Sequence, residues 1–315
     1  MHTILGAGGP VANALTKELL NHGQPVRLIS RTEINTFPAA NWLKADLKNN
    51  KEVMKAVKGS SVIYMTAGLK YDKKIWAEEW PIIMRNIIDA AKETGARLIF
   101  FDNVYMYGLV DGVMTEETPY NPSSKKGEVR AQIATQLMDE TKKGNIRASI
   151  ARAADFYGAE TLNSFCDSMV LQKLKEGKPA MWLGNPHKKH SFTFVPDAGK
   201  AMYLLGNVAK TDNQIWHVPT ASALTGKEFI ELAAAAFKAK PKYSSVNKFM
   251  LTMAGIFNPL IRETLELFYQ YRYDYVFDSS KFEKEFAVQP TSYKDGLEMV
   301  FKTTFEKKNL DKKLS

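Results

Sequence analysis

The chain opens on His2-Thr3-Ile4-Leu5-Gly6-Ala7-Gly8-Gly9-Pro10-Val11-Ala12, and this stretch decides the fold. His2 to Leu5 reads as a short buried strand. Val11, Leu15 and Leu19 then recur at i, i+4 and i+8, a stripe on one helical face. The glycines between permit a tight turn and let backbone amides approach an anion at the helix N-terminus. The small Ala12 permits close packing of helix on strand. A glycine-rich loop in this position points to a dinucleotide pyrophosphate, held by Gly6, Gly8, Gly9, Pro10, Val11 and Ala12. The spacing is Gly6-x-x-Gly9-x-x-Ala12; a Gly-x-Gly-x-x-Gly loop from Gly6 would need glycine where Val11 stands.

Strand-like and helix-like runs alternate outward from this loop. Asn21, His22 and Gly23 end the first helix and Pro25 prevents its return. Val26–Ser30 and Trp42–Leu47 read as strands, followed by a short helix over Asn50–Val57 and a strand over Ser61–Thr66. Trp80–Thr94 reads as a helix with Ile83, Ile87, Ile88 and Ala91 inward, and the pair Glu78-Glu79 as its solvated start. Arg97–Phe101 is a fifth strand, Lys126–Thr141 a helix and Arg147–Ala153 a sixth strand. Apolar strands separated by amphipathic helices predict an α/β chain, a Rossmann-type doubly wound parallel sheet with right-handed crossovers. From about residue 159 the alternation breaks into proline-marked loops at Pro179, Pro186, Pro196, Pro219 and Pro241. The expected division is a dinucleotide-binding domain over 1–158, with returning sheet segments near 190–222. A smaller C-terminal substrate lobe then takes 159–189 and 223–315, with substrate between sheet and lobe.

The strand ends choose the cofactor. A site for NAD usually places an acid after the second strand, to hold the ribose 2′-hydroxyl. Here the strand ends at Ser30-Arg31, and an arginine suits the 2′-phosphate of NADP through paired charge-assisted hydrogen bonds. NADP is therefore the expected cofactor, with NAD the alternative. Asp46 and Leu47, at the end of the third strand, are expected beside the adenine. Thr66, Ala67 and Gly68, small residues ending the fourth strand, are expected where backbone passes close to the cofactor.

Composition bounds the rest. The 315 residues are 45% hydrophobic and 24% charged, enough apolar material for a core. One cysteine, Cys166, builds neither a disulfide framework nor a Cys-rich metal site, and points to a reducing, cytoplasmic setting. The histidines His2, His22, His187 and His217 show no metal-ligand spacing, so no metal is expected. The net charge is +9, but no basic run interleaved with aromatics supports nucleic-acid binding. The longest apolar stretch, 249–261, carries Thr252, Asn258 and Pro259 and is too short to span a membrane. No signal peptide fits, because Gly6 interrupts the apolar residues that begin at Ile4. The lysine-rich tail, Lys307 to Ser315, reads as frayed. The expected partner is a small-molecule substrate, with no nucleic acid and no membrane, and a homodimer is possible.

The chain resembles the extended short-chain dehydrogenase/reductase family, which includes nucleotide-sugar epimerases and dehydratases. The matching residues are Gly6-x-x-Gly9-x-x-Ala12, Asp46-Leu47, Thr66-Ala67-Gly68, Asn86-Ile87-Ile88-x-Ala90-Ala91 and Tyr107-Gly108. Arg152 with Tyr157-Gly158, Phe192-Thr193-Phe194-Val195-Pro196-Asp197-Ala198, Asp278-Ser279-Ser280-Lys281 and Gly296-Leu297 extend the match along nearly the whole chain. The resemblance implies a Ser or Thr, a Tyr and a Lys as catalytic group, with Tyr transferring the proton. All three positions are altered. The Ser/Thr position falls on Asn103, whose amide can donate a hydrogen bond but cannot relay a proton as a hydroxyl can. The Tyr-x-x-x-Lys motif finds no register in Tyr120-Asn121-Pro122-Ser123-Ser124-Lys125-Lys126-Gly127-Glu128. Tyr120 precedes Pro122, read as a first-turn proline, and so lies outside the helix.

The resemblance places an acidic residue of the dehydratases at Tyr105. A tyrosine there can donate a proton if a cation lowers its pKa, and Lys125 or Lys126 is the nearby candidate. Asn103, Tyr105 and Lys125 are thus the candidate catalytic residues, with Tyr71 and Trp76 walling the substrate side. An aromatic wall is the competing role for Tyr105 itself. The reading is an NADP-preferring oxidoreductase, or an epimerase or dehydratase, acting on a small carbonyl, hydroxyl or sugar-type substrate. The altered triad keeps a non-catalytic dinucleotide-binding regulator as the alternative. His190 is either near the cleft or structural, Cys166 is expected to pack, and the Met- and aromatic-rich segment Lys248–Tyr273 reads as core or as an apolar lid.

Overall fold

The computed structural model describes every residue except Glu160, Leu162, Asn163 and Ser315, with side chains up to Thr304. The tail from Lys307, read as frayed, continues a helix over Tyr293–Leu314. Seven strands form one sheet: β1 (His2–Leu5), β2 (Val26–Ser30), β3 (Asn41–Lys44), β4 (Val62–Met65), β5 (Arg97–Asp102), β6 (Ala148–Arg152) and β7 (Ile215–His217). Their spatial order is β7-β6-β5-β4-β1-β2-β3, and every pairing is parallel. The chain winds outward from β1 in both directions, so β1 and β4 are neighbours whose connections leave to opposite sides. The crevice beyond the carboxyl ends of such a pair is where doubly wound sheets bind ligands. β1 and β4 are buried along their whole lengths, as strands covered on both faces must be.

Helices α1 (Pro10–Asn21), α2 (Asn50–Val57), α3 (Lys73–Thr94) and α4 (Lys125–Lys142) connect the strands. Two boundaries differ from the sequence reading. β3 stops at Lys44, not Leu47, because Asp46 turns the chain: its carboxylate accepts from Lys48 N–H at 3.0 Å and its N–H donates to Glu52 at 2.8 Å. α3 begins at Lys73, not Trp80, and runs through Pro81. Asp72 caps it by accepting from Lys74 and Ile75 N–H at 2.8 and 3.3 Å. Trp76, Trp80, Ile83 and Ile87 continue one buried stripe across the proline. Glu78 and Glu79 therefore lie within the helix, and Glu79 pairs with Lys48 at 3.0 Å. Pro122 is also not in a first turn: Ser124 is the N-cap of α4, accepting from Gly127 N–H at 3.0 Å.

The chain divides into two units. The first comprises Met1–Gly108, Glu116–Ala153 and Ala198–Val218; the second comprises Leu109–Thr115, Ala154–Asp197 and Pro219–Ser315. The first holds the seven-stranded sheet. The second is built from short strand pairs, among them Ala180–Leu183 with Tyr243–Val246 and Asp155–Tyr157 with Phe192–Phe194. Its core gathers Trp182, Phe192, Phe229, Tyr271 and Leu297. Cys166 is buried in that core, and burial pushes its thiol pKa well up, in keeping with packing. His190 is structural here: its ring lies between Tyr271 and Tyr275, with Nε2 3.0 Å from the Asp155 carboxylate.

Leu251, Phe268 and Tyr271 join this core and Leu267 is buried, but the core reading fails for much of Lys248–Tyr273. Phe249, Met250, Met253, Phe257 and Leu260 are exposed. The helix Lys248–Phe257 turns Leu251 and Gly255 inward, which leaves the first four on its opposite face, and Leu260 stands on the helix that follows.

Candidate active site

The site begins at the β1–α1 loop. Gly6 and Gly8 take positive φ values of 84° and 98°, which side chains resist. A Cβ on Gly6 would also lie 2.2 Å from Ala67 Cα, so the loop is pressed against the exit of β4. Thr66 ties the two exits together, its N–H donating to Leu5 O at 2.9 Å. Gly9 is the N-cap of α1, with no side-chain cap, and Pro10 occupies the first turn. Val11 and Ala12 follow as buried residues whose amides belong to that open turn. This end of α1 is a place for an anion, with bare backbone and a favourable helix dipole.

Arg31 is exposed immediately after β2. Ser30 beside it is held by Trp42, whose Nε1 donates to Ser30 Oγ at 2.8 Å. Asp46 lies half-buried two residues beyond β3, and the Leu47 carbonyl accepts from Asn86 Nδ2 at 2.9 Å. Asn86, on α3, thereby anchors the turn that carries Asp46.

The catalytic candidates follow β5. Asn103 receives the Tyr105 N–H on its carboxamide oxygen at 3.0 Å, so its oxygen is spent on the turn and its NH2 is the group that can donate. Tyr105 is half-buried and stacks on Trp76, with centroids 6.3 Å apart. Trp76 meets Tyr71 edge-on at 5.8 Å. The first turn of α4 separates its two lysines. Lys125 points outward, 69% exposed, and pairs with Glu128 at 2.8 Å. Lys126 is fully buried, with Nζ 4.4 Å from the centre of the Tyr71 ring. Of the two expected cations, Lys126 joins the aromatic group and Lys125 does not. The next residue must be small, because a Cβ on Gly127 would lie 2.5 Å from the Tyr105 carbonyl oxygen.

Behind this group runs a buried polar network that the sequence reading did not assemble. Asp102, at the end of β5, accepts from Arg130 Nε at 2.7 Å and lies 3.5 Å from Arg152 Nε. Arg152 donates to the Tyr107 hydroxyl at 2.9 Å and also to the Tyr120 hydroxyl. The Tyr107 hydroxyl also shares a hydrogen bond with His217 Nε2, 2.8 Å away. Burial pushes the Tyr107 pKa up to about 12, partly offset by the Arg152 charge, so the phenol is neutral. The Arg130 guanidinium lies 4.6 Å from the centre of the Trp80 ring. The signal was present in the sequence as charge at the ends of apolar strands: Asp102, Arg152 and His217 close β5, β6 and β7. Tyr120 serves this network, which accounts for its place outside α4.

Comparison with known proteins follows the same lines. Residues 2–218 match the model of the NAD dependent epimerase/dehydratase family. The chain belongs to this family. It is an extended short-chain dehydrogenase/reductase with a Rossmann-like sheet. No curated protein matches it. Among solved structures it is similar to dTDP-glucose 4,6-dehydratase (DesIV) from Streptomyces venezuelae with NAD and TYD bound, at 16% identity and TM-score 0.78 over 98% of each chain. It is similar to Thermus thermophilus UDP-glucose 4-epimerase in complex with NAD, at 15% identity and TM-score 0.78, over 96% of this chain and 98% of that one. MoeE5 in complex with UDP-glucose and NAD gives 18% identity and TM-score 0.79, over 97% and 99%. At these identities the likeness speaks for the fold. Against its family, this member has no tyrosine four residues before a lysine at the start of α4.

Proposed function

We propose that this protein is an NADP-preferring enzyme, an oxidoreductase or an epimerase or dehydratase, acting on a small carbonyl, hydroxyl or sugar-type substrate. The observation that carries the reading is the β1–α1 loop: positive-φ glycines, an uncapped α1 and direct packing against β4. Gly6 to Ala12 would hold the pyrophosphate and Arg31 a 2′-phosphate. Asp46 and Leu47 would lie toward the adenine, and Thr66 to Gly68 would line the cofactor side. A bound nicotinamide supplies hydride exchange. The chain supplies the rest. Tyr105 holds the proton delivered to the substrate oxygen, Lys126 is the cation of the same aromatic group, and the Asn103 NH2 orients the oxygen. The family name and the UDP-glucose bound in the similar MoeE5 structure support a sugar-type substrate.

The altered Tyr-x-x-x-Lys segment favours a second reading, a non-catalytic dinucleotide-binding regulator. Titration with NADPH and NADH, followed by turnover with carbonyl compounds and sugar nucleotides, separates the two. NADPH is expected to bind the more tightly. Arg31→Asp is expected to weaken NADPH about tenfold, near 1.4 kcal/mol, and to spare NADH. Equal loss for both cofactors would overturn the role of Arg31. Tight NADPH binding with no turnover across the panel would favour the regulator.

A further inference from the structure

The second unit exposes an apolar face that its own core does not explain. Two helices form a hairpin there, α5 (Lys248–Phe257) and α6 (Pro259–Thr264). Asn247 caps the first by accepting from Met250 N–H at 2.9 Å, and Asn258 caps the second by accepting from Leu260 N–H at 2.9 Å. The inner face is closed: Leu251 and Gly255 are buried, and a Cβ on Gly255 would lie 3.2 Å from Arg262 Cα. The outer face carries Phe249, Met250, Met253, Ile256, Phe257 and Leu260, with Phe249 73% and Phe257 87% exposed. A large contiguous apolar surface of this kind is uncommon on a monomer and marks an interaction site.

Charge indicates what covers it. Residues 232–264 contain Lys238, Lys240, Lys242, Lys248 and Arg262 against a single acid, Glu263. All five basic residues are exposed. We propose that this hairpin docks the protein onto an anionic lipid bilayer, its aromatic and aliphatic tips entering the headgroup–acyl boundary while the lysines and arginine face lipid phosphates. Amphipathic helices with Phe and Leu on one side and Lys and Arg beside them bind membranes in this way, lying in the interface without spanning it. No helix of the described residues is long and apolar enough to cross a membrane, and interfacial docking needs none. A second copy of the chain fits less well, because a two-fold contact would bring two surfaces of like positive charge together. Side chains exposed as fully as Phe257 suit a deformable lipid surface better than a rigid protein groove.

The test is flotation of the full chain with vesicles of equimolar phosphatidylcholine and phosphatidylglycerol, and with vesicles of phosphatidylcholine alone. Binding is expected to the anionic vesicles, about tenfold weaker to the neutral ones, and weakened by high salt. The double variant Phe249→Ser, Phe257→Ser is expected to lose binding about tenfold or more. Its unchanged melting temperature shows that it folds. Lys238→Glu with Lys242→Glu is expected to remove the preference for anionic lipid. No binding to either vesicle, equal binding to both, or a double variant that binds as well as the parent would overturn the proposal. So would a concentration-dependent oligomer that the phenylalanine variant splits while vesicles leave the parent unbound, since the face would then join two copies.

Discussion

Tyr105 and Lys126 show how much turns on single side chains. Tyr105 has the one phenol among the candidate catalytic residues, on a turn pinned by its own N–H to Asn103. Lys126 is buried against Tyr71, one residue before Gly127, whose Cα lies under the Tyr105 carbonyl. Lys125, adjacent in sequence, faces solvent with Glu128, because successive residues on a helix point about 100° apart. If Tyr105 supplies the proton, Tyr105→Phe should lower turnover by about 10²-fold or more and leave NADPH affinity unchanged. Unchanged turnover in a stopped-flow NADPH oxidation assay would leave Tyr105 as an aromatic wall. This contrast was only half legible. The sequence offered Lys125 or Lys126 as the cation and put Lys125 among the catalytic candidates; the N-cap at Ser124 set the phase that separates them.

Among the elements, Arg97 opens β5 and is buried where the apolar run of that strand gives no hint of a charged role. Its Nη1 donates to Gly206 O at 2.7 Å, and its Nη2 donates to Leu205 O and Val208 O at 2.9 Å. These carbonyls belong to the last turn of the helix ending at Asn207 and the residue after it. Nε donates to the Asp212 carboxylate at 2.8 Å. The guanidinium thus satisfies a helix C-terminus that has unpaired carbonyls. Arg97→Leu should cost about 3–5 kcal/mol in urea unfolding, since it strands both Asp212 and the carbonyls. Arg97→Lys should recover only part, because a lysine has no planar fork. A loss below about 1 kcal/mol would show that water replaces the arginine at no cost.

At the scale of the whole molecule, several buried phenols couple stability to alkaline pH. Burial raises the pKa of Tyr64, Tyr157 and Tyr293, and that of Tyr107 to about 12. Below the ordinary tyrosine value, folded and unfolded chains both keep these protons, and stability does not depend on them. Above about pH 10 the unfolded chain releases them while the folded chain retains them. Stability should therefore fall as pH rises from about 10 toward 12, by up to about 1.4 kcal/mol per pH unit for each phenol. Urea midpoints measured across this window check the effect; a flat profile would mean that the phenols reach water in the folded chain.

The order of strands and helices, the glycine loop and the position of Arg31 were set by the sequence itself, because they rest on short-range geometry: periodicity, caps, turns and chain continuity. Even the earlier start of α3 has a local cause in Asp72, a residue type suited to an N-cap. What only the tertiary structure decided were pairings between distant residues and the direction of each side chain. Asp102, Arg130, Arg152, Tyr107 and His217 are scattered along the chain and meet only because β5, β6 and β7 are neighbours. The apolar residues of 249–260 have the same composition whether buried or bare. Their exposure followed from which face of one helix Leu251 and Gly255 turned inward, since packing against the rest of the unit, rather than local propensity, chooses that face.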